Sequence, residues 1–220
     1  MSRLIPRERV EVAPGAVHQP GWLDPDAQRQ LASSCRTWIA QAGAHAPRLP
    51  TGGVMSVEIA CLGWHWFPYG YSRTVDDGDG REVAAFPEEL AELGRRAVAD
   101  AYRDPEAGCA YRPDVALINW YEPKARMGMH ADRDERSPAP VVSLSLGETC
   151  VFRFGNTSTR NRPWTDVELE SGDLFVFGGE SRLAYHGVPK LLPGTGDPAI
   201  GFSDGRYNLT IRQTGLMVAG

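Results

Sequence analysis

From residue 113 onward the chain is a succession of short runs with β character, each closed by glycine, proline or polar turn residues. They are DVALINWY (114–121), RMGMHAD (126–132), VVSLSLG (141–147), CVFRFG (150–155), TDVELE (165–170), DLFVFG (173–178) and RYNLTIRQ (206–213). Many short strands at this spacing predict a sandwich or barrel of antiparallel strands. The 24 glycines and 17 prolines among 220 residues supply the turns that such a plan needs.

The first 112 residues have a different texture. Asp24-Pro25 is a cap followed by a first-turn proline, and Leu31, Cys35, Trp38 and Ile39 follow at helical spacing. A second helix is expected to open at Pro87 and run through Leu90, Leu93, Ala97 and Tyr102. Between the two lies TGGVMSVEIACLGWHWFPYGYSRT (51–74), where Trp64, Trp66, Phe67, Tyr69 and Tyr71 stand among glycines. The expected fold class is therefore α+β, mainly β. It is read as one domain over 1–220, with a helix-containing N-terminal extension (1–112) on an antiparallel core (113–214). A chain of this length buries about 70% of its unfolded surface and needs no staples.

Composition removes several function classes. With 42% apolar and 23% charged residues the chain is an ordinary globular mix, not a disordered one. A net charge of −5 rules out polyanion binding through bulk charge, so a nucleic-acid role would need a local basic surface. One such stretch exists: between Cys150 and Thr165 stand Arg153, Arg160 and Arg162 with no acidic residue. The four cysteines form no CxxC pair and read as reduced, mostly buried thiols. The N-terminus carries charges where a secretory signal needs an apolar core, and no stretch approaches 18 apolar residues. A cytoplasmic protein with no membrane partner is expected.

The chemistry concentrates in three places. His130-Ala131-Asp132 is the one histidine in the chain followed two residues later by a carboxylate, and on a strand both side chains would project from one face. Such a pattern is expected by chance about 0.6 times in a chain of this composition, so it says little alone. His186, beside a glycine, would complete a two-histidine, one-carboxylate facial triad of the non-haem Fe(II) type. In RYNLTIR, Arg206, Asn208, Thr210 and Arg212 alternate onto one strand face. Two planar guanidinium forks and an amide there suit an anion with two carboxylates. Asn119 and Tyr121 share a face just before the His130 strand. For the histidines the alternative is a satisfied core or surface position, and for the arginines an ordinary solvated strand face. Together the two patterns suggest iron with 2-oxoglutarate.

At this point LINWYEPKARMGMHADRDE, APVVSLSLG, FRFG, GDLFVFGGESRLAYHG and RYNLTIRQ resemble the AlkB family of Fe(II)/2-oxoglutarate-dependent dioxygenases, in its bacterial branch. The likeness covers nearly all of 113–214 and extends upstream through PTGGVMSVEIACLGW and YGYS, which resemble that family's nucleotide-recognition lid, at about 51–74. It implies a double-stranded β-helix, or jelly roll, and three cofactors: Fe(II), 2-oxoglutarate as co-substrate, and O2. Carried over by position, it implies that His130, Asp132 and His186 hold the iron. Asn119, Tyr121, Arg206, Asn208 and Arg212 would hold 2-oxoglutarate, with Arg206 on the distal carboxylate and Arg212 toward the metal.

The implied activity is oxidative dealkylation of N-alkylated bases such as 1-methyladenine and 3-methylcytosine, releasing formaldehyde, succinate and CO2. Its implied substrate is single-stranded DNA, extending to RNA and to duplex DNA with a flipped lesion, acted on by a monomer. Trp64, Tyr69, Tyr71, Asp134 and Arg160 occupy the family's substrate-contact positions, with Glu135 and Arg162 beside them. A protein or small-molecule target is the alternative for the same cofactors. A jelly-roll binding module without catalysis is disfavoured, because no ligand position is missing.

Overall fold

Alternation along the strands separates two apolar sets that must be buried on opposite faces, and the chain meets this with a three-layer arrangement. The computed structural model describes residues 7–49 and 52–216. The N-terminal part holds β1 (Val10–Ala13), β2 (Ala16–Gln19), α1 (Pro25–Ala42), β3 (Val57–Leu62), β4 (His65–Phe67), β5 (Gly70–Ser72), α2 (Glu88–Tyr102) and α3 (Pro105–Ala110). The remainder holds β6 (Val115–Tyr121), β7 (Met127–His130), β8 (Val141–Gly147), β9 (Cys150–Phe154), β10 (Thr165–Leu169), β11 (Leu174–Phe177), β12 (His186–Leu191) and β13 (Arg206–Arg212).

Seven strands form an antiparallel sheet in the order β1-β2-β11-β8-β13-β6-β3, and four form a second in the order β10-β9-β12-β7. One face of the large sheet presents Ala116, Ile118, Leu144, Leu146, Leu209 and Ile211 to α1 and α2. The other presents Val115, Leu117, Tyr121, Val141, Phe175 and Phe177 to the small sheet, whose Cys150, Phe152, Phe154 and Val188 meet them. Strands with both faces covered read as nearly continuous apolar runs, which is the character of VALINWY and VVSLSLG.

Both expected helices form. Asp24 caps α1 by accepting from the Ala27 amide, with Pro25 in the first turn, and α2 opens directly after Pro87. Cys35, Cys61 and Cys150 are buried, Cys109 is exposed, and all four are free thiols.

Four features depart from the sequence expectation. The N-terminal part is not merely an extension, because β1, β2 and β3 supply three strands of the large sheet. A quarter of the expected lid is therefore β3, a sheet strand with Val57, Ile59 and Cys61 buried between the sheets; β4 and β5 form a separate hairpin. The short helix α3, capped by Asp104, was not anticipated. Finally, β12 was not among the expected strands, since Gly187 and Pro189 look like turn punctuation. The sheet accommodates them with register shifts against both neighbours, the setting in which a strand tolerates proline. Gly187 is required there: a Cβ would meet the Met127 carbonyl oxygen at 2.8 Å.

The stretch after β12 is packed rather than loose. Glu148 accepts from the amides of Gly194 and Gly205, and Ile200 and Phe202 join the core beneath the helices.

Candidate active site

The site lies between the sheets, and strand register assembles it. His186 on β12 sits directly across from His130 on β7. On the opposite sheet Arg206 pairs with Tyr121 and Asn208 with Asn119, residue for residue, so all four side chains share the interior face. The other neighbour of β13 places Ser145 beside Asn208 and Ser143 beside Thr210.

The strand argument for His130 and Asp132 needs one correction. β7 stops at His130, and Asp132 lies in the loop that follows. Convergence comes instead from Arg182, whose guanidinium donates to the Asp132 carbonyl oxygen at 2.9 Å and to Ala139 O at 2.8 Å, pinning the loop. His130 Nε2 then stands 3.7 Å from Asp132 Oδ1, and His186 Nε2 3.7 Å from Asp132 Oδ2.

Protonation states follow from the partners. Each ring Nδ1 faces a backbone carbonyl two residues back, His130 to Gly128 O at 3.0 Å and His186 to Ala184 O at 2.9 Å. A carbonyl only accepts, so the proton sits on Nδ1 and the Nε2 lone pairs point toward Asp132, the tautomer a metal-ligating histidine uses. Burial pushes His186 down to about 4, keeping it neutral. Burial opposes ionisation of Asp132, yet the charge of Arg212 leads the effects that outweigh it and hold the carboxyl far below the usual range. Two imidazoles, that of His186 neutral, and an ionised carboxylate whose solvent-free Oδ2 has no hydrogen-bond partner among the described residues suit a divalent iron.

Beside the triad is a cationic cradle. Arg212 Nη2 pairs with Asp132 Oδ1 at 3.0 Å, while Arg206 lies six residues along β13 and donates to Ser145 Oγ at 2.8 Å. Both guanidinium groups are buried. Arg206 Nε and Nη1 and Arg212 Nε have no hydrogen-bond partner among the described residues. A solvated strand face is thereby excluded for RYNLTIR. Buried donors without acceptors cost about 1–3 kcal/mol each, more for charged groups, and a dicarboxylate would satisfy them. Asn208 donates to Ser143 Oγ at 2.7 Å, and Asn119 donates to Asn208 Oδ1 at 3.3 Å, so the amide pair is oriented before any ligand arrives.

The expected substrate residues divide into three groups. Tyr71 and Asp134 belong to one network with the triad. Tyr71 donates to Glu135, and Glu135 pairs with Arg212 and Arg182, each at 2.9 Å. Burial opposes ionisation of Glu135 too, but the Arg212 charge holds it below the usual range. Asp134 accepts from Trp66 Nε1 at 2.8 Å, and burial pushes its carboxyl up. Tyr69, at the tip of the β4–β5 hairpin, is 80% exposed and holds a φ of 77°, a conformation that disfavours a bulky side chain.

Trp64 is buried in the inter-sheet cluster, donates to Asp114 at 3.2 Å and carries the Arg73 guanidinium 3.8 Å from its ring. Arg160 lies over the Tyr185 ring, next to His186 in sequence, at 5.8 Å. Of the three local arginines, Arg153 is neutralised by a two-pronged pair with Asp166 directly across β10, while Arg162 lies over Trp164.

Sequence reasoning missed Arg182, Trp66 and the serines. The alternation of Ser143 and Ser145 within an otherwise apolar strand was a legible signal for a polar interior face. Nothing local marked Arg182, and the aromatic run named Trp66 without its role, because their partners are 50 and 68 residues away.

The comparisons with known proteins agree with this geometry. The 2OG-Fe(II) oxygenase superfamily matches residues 15–212. Among relatives, the alpha-ketoglutarate-dependent dioxygenase AlkB homolog of Caulobacter vibrioides (strain NA1000 / CB15N) is 40% identical over 208 residues, 92% of this chain and 89% of that protein. The DNA N(6)-methyladenine demethylase ALKBH1D of Arabidopsis thaliana is 31% identical over 233 residues, covering 94% and 52%. The solved structure of OsALKBH1 superimposes with a TM-score of 0.80 at 32% identity, covering 93% of this chain and 100% of that one. The chain belongs to the 2OG-Fe(II) oxygenase superfamily, within it as an AlkB-type dioxygenase. Its cofactors are accordingly Fe(II), 2-oxoglutarate and O2. No helix among the described residues is long and apolar enough to cross a membrane.

Proposed function

We propose that this protein removes N-alkyl groups from bases such as 1-methyladenine and 3-methylcytosine, acting as a monomeric, single-domain cytoplasmic repair enzyme on single-stranded DNA. RNA, and duplex DNA with a flipped lesion, are further substrates. The observation that carries this reading is a two-histidine, one-carboxylate triad beside two buried arginines that keep donors unpartnered among the described residues, with an aromatic hairpin bonded to the segment that follows Asp132.

His130 Nε2, Asp132 and His186 Nε2 would hold the iron. Arg206 would receive the distal carboxylate of 2-oxoglutarate, Tyr121, Asn119 and Asn208 would line its path, and Arg212 would face the end nearer the metal. Bound there, iron, 2-oxoglutarate and O2 would supply the oxidising chemistry for dealkylation, with succinate, CO2 and formaldehyde as products. The protein's own residues orient and exclude water. Glu135 and Arg182 keep Arg212 and Asp132 in register.

Reaching a methyl group on a pairing edge requires the base to leave the stack, at a few kcal/mol, least in a single strand. Tyr69 and Tyr71 offer aromatic surface to an extruded base, worth about 1–3 kcal/mol per stacked base. Trp64 would act from behind them. Asp134, half-buried, gains more from a cationic alkylated base than from a neutral one, which favours the lesion over the normal base. Arg160, with Arg162 beside it, would meet phosphates.

A short single-stranded oligonucleotide carrying one 1-methyladenine, incubated with protein, Fe(II), ascorbate and 2-oxoglutarate, tests this by mass spectrometry. Loss of one methylene mass, dependent on 2-oxoglutarate and absent from His130→Ala, is expected. Succinate without demethylation would move the target to a protein or small molecule.

A further inference from the structure

We propose that His45, His65 and Asp77 form a second metal site, separate from the triad, that binds zinc and ties the Asp77 turn to the β4–β5 hairpin. The three residues come from separate pieces of backbone. His45 follows α1 and is bridged to Ile59 of β3 through two backbone hydrogen bonds, 3.2 and 2.8 Å. His65 opens β4 and is fully buried. Asp77 sits in the turn closed by hydrogen bonds from Gly78 and Gly80 to Val75 O.

Their ligand atoms all lie within 4.8 Å of one another. Asp77 Oδ1 is 2.5 Å from His65 Nε2, and Asp77 Oδ2 is 3.3 Å from His45 Nε2. The two imidazole rings are 5.2 Å apart at 31°. Around a tetrahedral zinc with bonds near 2.0–2.2 Å, ligand atoms are about 3.3 Å apart. The His45–Asp77 separation already has that value, and the His65–Asp77 contact would have to open by less than about 1 Å to reach it.

A simple His65–Asp77 ion pair would explain two of the three residues and leaves the third unexplained. His45 Nε2 is shut off from solvent and makes no hydrogen bond among the described residues, although a carboxylate oxygen lies 3.3 Å away. A ring nitrogen close to the carboxylate that its neighbour bonds, with no hydrogen bond of its own, is the arrangement an ion placed among them would satisfy. A cavity of about 350 Å³ opens beside His45 and Asp77 and leaves room for water as the remaining ligand.

Two imidazoles and one carboxylate suit zinc. Calcium and magnesium prefer all-oxygen shells, and for the same donors zinc binds more tightly than Fe(II). Unlike the triad, the cluster has no buried arginine with unpartnered donors beside it among the described residues; the arginine of its cavity, Arg48, is exposed.

The test is a zinc stoichiometry on the full chain, read without nucleic acid or turnover, so its outcome is independent of the proposed activity. His130→Ala/His186→Ala removes the catalytic ligands. Metal-stripped and then equilibrated with buffered zinc, this variant is expected to retain one equivalent by elemental analysis, and its thermal midpoint to rise with zinc. Adding Asp77→Asn, a near-isosteric change on a part-exposed turn, should weaken zinc at least about 100-fold, since even outer-shell partners are worth 10–100-fold. Cobalt(II) in place of zinc should give the visible absorption of a tetrahedral site in the first variant only. If the double variant does not fold, the unmodified chain should hold two equivalents and Asp77→Asn one. A folded double variant without zinc, or an Asp77→Asn protein that keeps all its zinc, would overturn the proposal.

Discussion

The inter-sheet site and the β4–β5 hairpin face the same reaction but are held in different ways. Each residue of the triad and the arginine cradle is fixed by strand register, by burial, or by a buried ion pair to Glu135. The hairpin is a two-stranded ribbon of three residues per strand, and it reaches the site through three hydrogen bonds: Trp66 to Asp134, Tyr71 to Glu135, and Arg212 to the Tyr71 hydroxyl. Isolated hairpins are marginally stable in water, so this one borrows its position from the core. Oxidative chemistry needs near-rigid placement, which packed sheets supply, whereas recognition of an extruded base needs a surface that gives way to it. Under the proposed function the two demands would be divided between two regions.

That division has measurable consequences. The largest effect is expected in the core: Asp132→Ala or His186→Ala should abolish both succinate formation without substrate and dealkylation with it. Survival of either activity would mean that the oxidant is not generated at the triad.

Next in size is an acid effect on the metal-free protein. His186 binds its proton near the ordinary 6.5 when unfolded but only near about 4 when folded. The unfolded chain therefore holds more protons between these values. Stability should be full above pH 6.5 and fall as pH drops toward 4, by roughly 3 kcal/mol. Denaturant midpoints measured across this range check it, and His186→Gln should flatten that part of the curve.

Arg206→Ala tests the cradle separately from the metal. Loss of charge-assisted bonds worth about 1.5–3 kcal/mol should raise the KM for 2-oxoglutarate roughly 10- to 100-fold, with the fold retained by circular dichroism.

Changes in the hairpin should be smaller and of another kind. Trp66→Phe removes one hydrogen bond worth about 1 kcal/mol, so the KM for an alkylated oligonucleotide should rise about fivefold while substrate-free succinate formation is unchanged. Tyr69→Ala, at an exposed tip, should shift stability by less than about 0.5 kcal/mol and still slow dealkylation. Equal losses of both activities in these variants would erase the distinction between the regions.

Much of this was legible in the residues. Strand alternation in RYNLTIR placed Arg206, Asn208 and Arg212 on one face, and the structure keeps them there, because a period of two fixes faces whatever the partner strand is. Asp24-Pro25 and Pro87 located their helices for equally local reasons. The lid was half right. The run of aromatics flagged 51–74, but VEIACL within it is sheet strand, and Trp64 packs into the core rather than standing with Tyr69.

What the sequence by itself determined was the set of periodicities and caps, and the identity of the donors that could meet a metal and a dicarboxylate. Only tertiary structure decided that β1, β2 and β3 complete the large sheet, and that Gly187 and Pro189 sit inside a strand. It also decided that Asp132 reaches the triad from a loop pinned by Arg182, and that His45 and His65 converge on Asp77. The reason is physical. Local preferences act over a few residues, whereas these contacts join segments tens of residues apart and are settled by which buried groups must find partners once the sheets close.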